Sequence, residues 1–150
     1  MHEYQQGEFT ISTDPARLDV DVIHGFLSKS YWAQGRSRET VVKSLENSLC
    51  FGVYKGNQQV GLARVITDYA TFAYVCDVFI LEDYQGQGLG KWLMKTVTSH
   101  PQLQGLRRWT LATRDAHGLY QQVGFTPFSA PERWMEKLDP TANPPPTQGS

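Results

Sequence analysis

Apolar positions recur with two different periods along the chain, and the change of period divides it into predicted strands and helices. A short strand is predicted over residues 9–12. Helical spacing of apolar residues predicts a helix over 18–28 and a second one after Ser37, a residue type that caps helix N-termini. Two β-branched and aromatic runs, 49–54 and 60–67, predict strands that pair antiparallel through a tight turn.

The second half of the chain alternates strands with helices. A long apolar run over 72–81 leads into a glycine-rich stretch at 85–90, which opens an amphipathic helix that reaches Ser99. We expect a strand over 106–113, a short helix capped by Asp115, and two final strands at 125–128 and 133–138. The order is β-α-α-β-β-β-α-β-α-β-β, an α/β (mixed α+β) fold of about seven strands and about four helices.

Length and composition indicate one domain over 1–138. The chain has 150 residues, and its proline-rich end, 139–150, has no large apolar residue after Leu138 and is predicted to be disordered. A net charge of −1 gives no reason to expect nucleic acid or anionic lipid as a partner. The sequence has no apolar run long enough to span a membrane, no hydrophobic leader and no metal-ligand spacing, so we expect a cytoplasmic protein without a metal.

The glycine-rich stretch is the most informative motif. Small residues let the backbone turn sharply. The first N–H groups of the following helix have no partners within the helix and lie at the positive end of its dipole, so such a turn can bind an anion. A Walker loop needs glycine at position 85 and Ser or Thr at 92, where the chain has Gln85 and Trp92. The dinucleotide pattern G-x-G-x-x-G fails in both registers, because Lys91 and Leu93 occupy its third glycine position.

The spacing that remains, Q-x-x-G-x-G, resembles the pyrophosphate loop of the GNAT superfamily of acetyl-CoA-dependent N-acetyltransferases. Two further segments match that family: 77–80, just before the loop, and 113–120 with Gly124 and Phe125. The resemblance covers roughly residues 9–138, and it implies a central mixed, mostly antiparallel sheet flanked by helices.

The resemblance also implies how acetyl-CoA is bound. Backbone N–H groups of the loop would hold the pyrophosphate, Gln85 would open the turn, and the main chain near Phe79 and Ile80 would face the acetyl group. The alternative is an ordinary loop before a helix. The expected cofactor-binding residues are Phe79, Ile80, Gln85, Gly86, Gln87, Gly88, Leu89, Gly90, Lys91, Thr113, Asp115 and Tyr120.

Acetyl transfer needs a neutral amine, a stabilised carbonyl oxygen and a proton for the departing thiolate. Tyr120 occupies the position of the family's general acid, and a phenol is protonated at neutral pH; the alternative is an aromatic residue that packs on the sheet. Asp77 is the second predicted catalytic residue and could hold the amine, or it could be a structural carboxylate. His117 and Asp115 are weaker candidates for the base, with structural roles as the alternative.

In the family, the region around the first two helices lines the acceptor site. Here that region contains Tyr31, Trp32, Arg36 and Arg38. Aromatic side chains can enclose an amine and arginines can bind a carboxylate, although the aromatic pair could equally close the domain. With Asp77, the expected substrate-binding residues are Tyr31, Trp32 and Arg36.

We therefore predict an N-acetyltransferase that moves an acetyl group from acetyl-CoA to a primary amine in a ternary complex. No cysteine is placed for a covalent acetyl-enzyme. The expected acceptor is a small amine or an amino-acid-like molecule, with a protein lysine or N-terminus as the alternative. Two other functions are a non-catalytic module that senses CoA and an enzyme that binds another diphosphate. The terminal strands offer an edge for a homodimer.

Overall fold

The computed structural model describes residues 2–142, so residues 143–150 of the predicted disordered tail lie outside the described part. One mixed sheet of six strands forms the centre, and its spatial order follows the sequence from β1 to β6. The strands are β1 (Glu3–Gln6), β2 (Phe9–Ser12), β3 (Leu49–Lys55), β4 (Gln58–Thr67), β5 (Phe72–Ile80) and β6 (Arg108–Leu111), and the helices are α1 (Val20–Leu27), α2 (Arg38–Glu46), α3 (Leu89–Ser99) and α4 (His117–Gln121).

Neighbouring strands from β1 to β5 pair antiparallel, and β5 and β6 pair parallel. The predicted hairpin is confirmed: Lys55 is opposite Gln58, and Gly56 between them has φ +59°. An additional hairpin joins β1 to β2 through Gly7, also at φ +59°. Sequence analysis missed β1 because Glu-Tyr-Gln-Gln has almost no apolar residues to mark a strand.

The helices cover the two faces of the sheet and bury two hydrophobic clusters. On one face, α1 and α2 pack against a cluster that includes Leu62 and Phe79; on the other, α3 packs against one that includes Phe51 and Val65. Ser37 caps α2 by accepting a hydrogen bond from the backbone N–H of Thr40, as predicted. The mixed, mostly antiparallel α/β fold is therefore confirmed, and the glycine-rich stretch follows the end of β5.

Three local predictions are wrong. Within the described chain, residues 125–128 and 133–138 form no strands, so the sheet has six strands rather than about seven. The apolar residues there pair with each other instead: the rings of Phe128 and Trp134 stack at 4.4 Å. Asp115 does not cap α4; the Thr113 hydroxyl accepts the N–H of Ala116 at 3.0 Å and closes this turn.

Candidate active site

The glycine-rich loop after β5 is built as a tight turn with an open outer surface. The Gln85 side-chain amide donates to the backbone oxygen of Ile80 at 2.8 Å, which ties the loop to the end of the strand. Gly86 and Gly88 both have φ +82°, a left-handed conformation that costs other residues about 1–2 kcal/mol. A Cβ on either glycine would meet no protein atom within 4 Å, so the space outside them is open to a ligand.

Helix α3 begins directly at this loop. Gly88 is its N-cap, and within the described part of the chain no side chain caps this end. The first helical residues are Leu89, Gly90 and Lys91; Leu89 is buried in the core, whereas Gln87 and Lys91 are exposed. Unpaired N–H donors at the positive end of a helix dipole suit a diphosphate. The residues present therefore fit the predicted cofactor contact.

A gap opens beside this loop, where β5 and β6 part. Their pairing ends at Val75 and Leu111, but β5 continues to Ile80. The N–H of Leu81 points toward β4, because it donates to Val60 at 2.8 Å. The N–H groups of successive strand residues point to opposite edges of the strand. The N–H of Ile80 therefore points away from β4, into the gap. The main chain of Phe79 faces β4, and its side chain stacks on Phe26 at 4.2 Å.

Tyr120 lies on α4, the helix that follows β6, and α4 packs against α3. Its ring is partly buried and contacts Phe125 edge to face at 6.1 Å. Burial, with smaller contributions from Tyr31 and Asp115, raises the pKa of Tyr120 to about 12. The phenol is therefore protonated throughout the neutral range, as a general acid must be.

The other residues predicted near the cofactor on this side have different environments. Thr113 is partly buried and lines a cavity of about 730 Å³ between β6, α4 and residues 125–129, which Tyr120 also lines. Asp115 is 70% exposed, and one of its oxygens is 4.0 Å from Arg114. His117, the first residue of α4, is exposed.

Asp77 is a buried carboxylate with three donors around it. One oxygen accepts from Trp32 Nε1 at 2.9 Å; the other accepts from Arg36 Nη1 at 2.9 Å and Arg64 Nε at 2.8 Å. Arg64 in turn donates to the Ser48 hydroxyl at 3.1 Å. Burial raises the pKa of Asp77, but the two guanidiniums outweigh it and hold this pKa below its usual value. A carboxylate so fully paired is a weak base.

The backbone at Asp77 explains why its side chain can reach this network. Asp77 has φ +51°, and two residues of β5, Asp77 and Val78, are opposite Ala63 alone on β4. This is a β-bulge, which changes the direction in which the following side chains point. Cys76 and Asp77 can therefore both lie on the face of the sheet that carries Arg64.

Three of the four predicted substrate-binding residues meet in this network: Asp77 bonds directly to Trp32 and Arg36. The fourth, Tyr31, contacts Trp32 edge to face at 5.2 Å and accepts the backbone N–H of Arg114 at 3.3 Å. Arg38 lies apart from them, in an exposed ion pair with Asp21.

Sequence analysis missed two residues of this region. Arg64 is 9% exposed in the middle of an apolar strand, and a charged residue in such a run is itself a signal of a buried partner. Arg114 lies with its guanidinium carbon 3.8 Å from the centre of the Tyr31 ring. Nothing in the local sequence indicates that contact, because 83 positions separate the two residues.

Comparison with known proteins assigns the chain to a family. The model of the acetyltransferase (GNAT) domain matches residues 46–127. A Gibberella zeae protein that is named as a candidate acetyltransferase is 36% identical to this chain over 140 residues, and the match covers 78% of each chain. The crystal structure of a candidate GNAT-family acetyltransferase from Xanthomonas campestris matches this chain with a TM-score of 0.88 and 46% identity. The match covers 93% of this chain and 99% of that one.

The fold also matches that of a GNAT acetyltransferase from Elizabethkingia anophelis with acetyl-CoA bound, at a TM-score of 0.62 and 18% identity over 81% of this chain and 78% of that one. This chain belongs to the GNAT acetyltransferase family. It is an acyltransferase, and acetyl-CoA is the donor that the family uses, so both predictions are confirmed. Within residues 2–142, no helix has the length and apolar composition to cross a membrane.

Proposed function

We propose that this protein transfers the acetyl group of acetyl-CoA to a primary amine by direct attack in a ternary complex, with Tyr120 as general acid. The supporting observation is the gap between β5 and β6: the Ile80 N–H belongs to the end of β5, and the protonated Tyr120 phenol lies on α4, the helix that follows β6. The gap adjoins the open N-terminus of α3, so one extended cofactor can contact all three.

The loop supplies the cofactor contact in this proposal. Main-chain N–H groups of Gln87, Gly88 and Gly90, with those of neighbouring residues, bind the diphosphate, and Gln85 holds the loop against the strand. The Ile80 N–H donates to the thioester oxygen, which becomes more negative as the carbonyl carbon is attacked. Thr113 and Asp115 remain candidate contacts of the rest of the cofactor.

In the reaction, the amine nitrogen attacks the carbonyl carbon, the new C–N bond forms and the C–S bond breaks. Tyr120 donates a hydrogen bond to the sulfur and transfers its proton as that bond breaks. The proton released by the amine leaves through solvent, and the phenol is reprotonated from solvent. Asp77 is a positioning residue that orients Trp32 and Arg36, because its lowered pKa does not suit a base.

The cysteines support direct attack rather than a covalent acetyl-enzyme. Burial raises the pKa of Cys50 to about 12 and that of Cys76 to about 11. A thiol is an effective nucleophile only as its thiolate, which both sites disfavour at neutral pH. Neither cysteine has a partner in a disulfide among the described residues.

The test is the rate of thiol release from acetyl-CoA with a panel of amines, for the wild type and for Tyr120→Phe. We expect the variant to lose about 10²-fold in kcat, because it keeps the ring but not the proton, with an unchanged Kd for CoA. Tyr69→Phe, at a 48% exposed tyrosine outside the site, is the matched control and should equal the wild type.

An undiminished kcat in Tyr120→Phe would remove this residue from the mechanism. Binding of acetyl-CoA without turnover of any amine would instead favour the sensor module. Turnover of peptide lysines or N-termini in preference to small amines would favour a protein acceptor.

A further inference from the structure

A cavity of about 710 Å³ lies beside the end of β5. Its walls come from α1 and the loop after it, from Leu81 and Glu82 at the end of β5, and from Arg114 after β6. Because it includes residues from the ends of both parting strands, the cavity opens onto the place where the proposed function puts the thioester. Its volume suits a small molecule.

The lining of this cavity contains both aromatic and charged residues. Phe26, Tyr31 and Trp32 form the apolar wall. The charged residues of the lining are Asp21, Lys29, Glu82 and Arg114. Such a lining fits an acceptor that is partly apolar and that has charged groups of its own.

The arginines predicted from the sequence to bind a carboxylate are already paired inside the protein. Arg36 donates to Asp77 at 2.9 Å, and Arg38 forms an ion pair with Asp21. An acceptor carboxylate at Arg36 would have to compete with a buried carboxylate that has three donors. The cations on the cavity itself are Lys29 and Arg114.

Arg114 is held in place without losing its charge. Its guanidinium lies over the Tyr31 ring at 3.8 Å, and its backbone N–H donates to the Tyr31 hydroxyl at 3.3 Å, so one tyrosine holds it at two points. A guanidinium stacked on a ring keeps its edge donors free for a planar anion. Its acidic neighbour Asp115 is 4.0 Å away and 70% exposed, and therefore neutralises little of this charge.

We infer that Arg114 determines acceptor specificity: it binds the carboxylate of a small amino-acid-like acceptor, and Tyr31 orients it. The amine of the same molecule then points toward the Ile80 N–H and Tyr120. This inference rests on the proposed function and adds to it the anionic group and the residue that recognises it.

The experiment compares amino acids with the corresponding amino-acid amides as acceptors, in pairs. We expect the wild type to have a kcat/KM at least tenfold higher for the acid in its best pair, since a charge-assisted bidentate contact is lost in the amide. Arg114→Gln should reduce that ratio to about one, through a higher KM for the acid with kcat and the KM for acetyl-CoA unchanged. Arg114→Lys should keep part of the wild-type ratio of kcat/KM for acid over amide.

Arg107→Gln is the control, because Arg107 is an exposed arginine just before β6 that lines neither cavity. It should keep the wild-type ratio. Acceptors in a pair differ in amine basicity, but that difference cancels when the ratio is compared between wild type and variant.

Equal kcat/KM for acid and amide in the wild type would overturn the inference while leaving the acetyltransferase proposal intact. A wild-type ratio in Arg114→Gln, or an equal loss for acid and amide, would also overturn it. Absence of turnover with every acid and every amide would overturn both proposals.

Discussion

At the scale of single residues, the buried carboxylate of Asp77 has the largest structural effect. Two arginines and one tryptophan, from the segment between α1 and α2 and from β4, direct their donors at it. Removing one partner of a buried ion pair leaves the others uncompensated, which costs more than the pair contributes. Asp77 therefore stabilises the fold and holds the segment that contains Trp32 and Arg36 against the sheet.

Asp77→Asn should lower the free energy of unfolding by about 3 kcal/mol, measured by urea denaturation at pH 7. Asn tolerates the positive φ at this position, so the substitution tests the charge rather than the backbone. Asp21→Asn, which breaks an ion pair whose acidic side chain is 82% exposed, is the control and should stay close to wild type.

The same variant has a defined pH dependence. The pKa of Asp77 is lower in the folded chain than its ordinary value of 3.8. The contribution of the ionised carboxylate to the free energy of unfolding is therefore complete above pH 3.8 and is lost as the pH falls below it. The stability difference between wild type and Asp77→Asn should therefore shrink below about pH 4. A constant difference down to pH 2.5 would contradict this assignment.

At the scale of elements, the loop between β5 and α3 joins a strand end to a helix start without a side-chain cap. Gly86 and Gly88 allow the turn, and the Gln85 amide fixes it to Ile80. The geometry of this connection determines where the first N–H groups of α3 point. A backbone change here should thus affect cofactor binding more than stability.

Gly88→Ala should raise the Kd for CoA about tenfold in calorimetry, because alanine disfavours the left-handed conformation and displaces the donors. Gly105→Ala is matched for backbone strain, since Gly105 has φ +80° in a loop away from the site. Gly105→Ala should lower Tm by about as much as Gly88→Ala does, and it should leave the Kd for CoA unchanged. An equal Kd in both variants would argue against the loop as the diphosphate site.

At the scale of the whole molecule, the outer edge of β6 has no paired strand within residues 2–142. Beside it lies an exposed apolar segment, in which Trp134 is 41%, Met135 95% and Leu138 58% exposed. Exposed apolar clusters of this kind mark interaction surfaces. The homodimer remains a prediction, and this edge is where we place the interface.

We expect light scattering to give a mass of twice 17.0 kDa, and Met135→Asp to weaken dimerisation at least tenfold by placing a charge in the interface. Lys137→Asp, which changes charge in the same segment without removing an apolar side chain, should have the smaller effect. A wild-type monomer at every concentration would refute the dimer.

Most of the fold could be predicted because its signals are local. Ser37 caps the helix that begins beside it, the hairpin turn lies between its two strands, and the glycine loop is six consecutive residues. The errors occur where local pattern and pairing disagree. Residues 133–138 contain large apolar residues suited to a strand but have no partner strand among the described residues, and a strand is stable only when it is paired.

The sequence by itself determined the family, and it predicted the glycine loop as the cofactor contact and Tyr120 as the acid, because each prediction depends on spacing within a few residues. Only the tertiary structure decided what surrounds them. Asp77 meets Trp32 and Arg36 across 45 and 41 positions, and Tyr31 holds Arg114 across 83. Such contacts depend on how the strands and loops pack together, which no local pattern of side chains specifies.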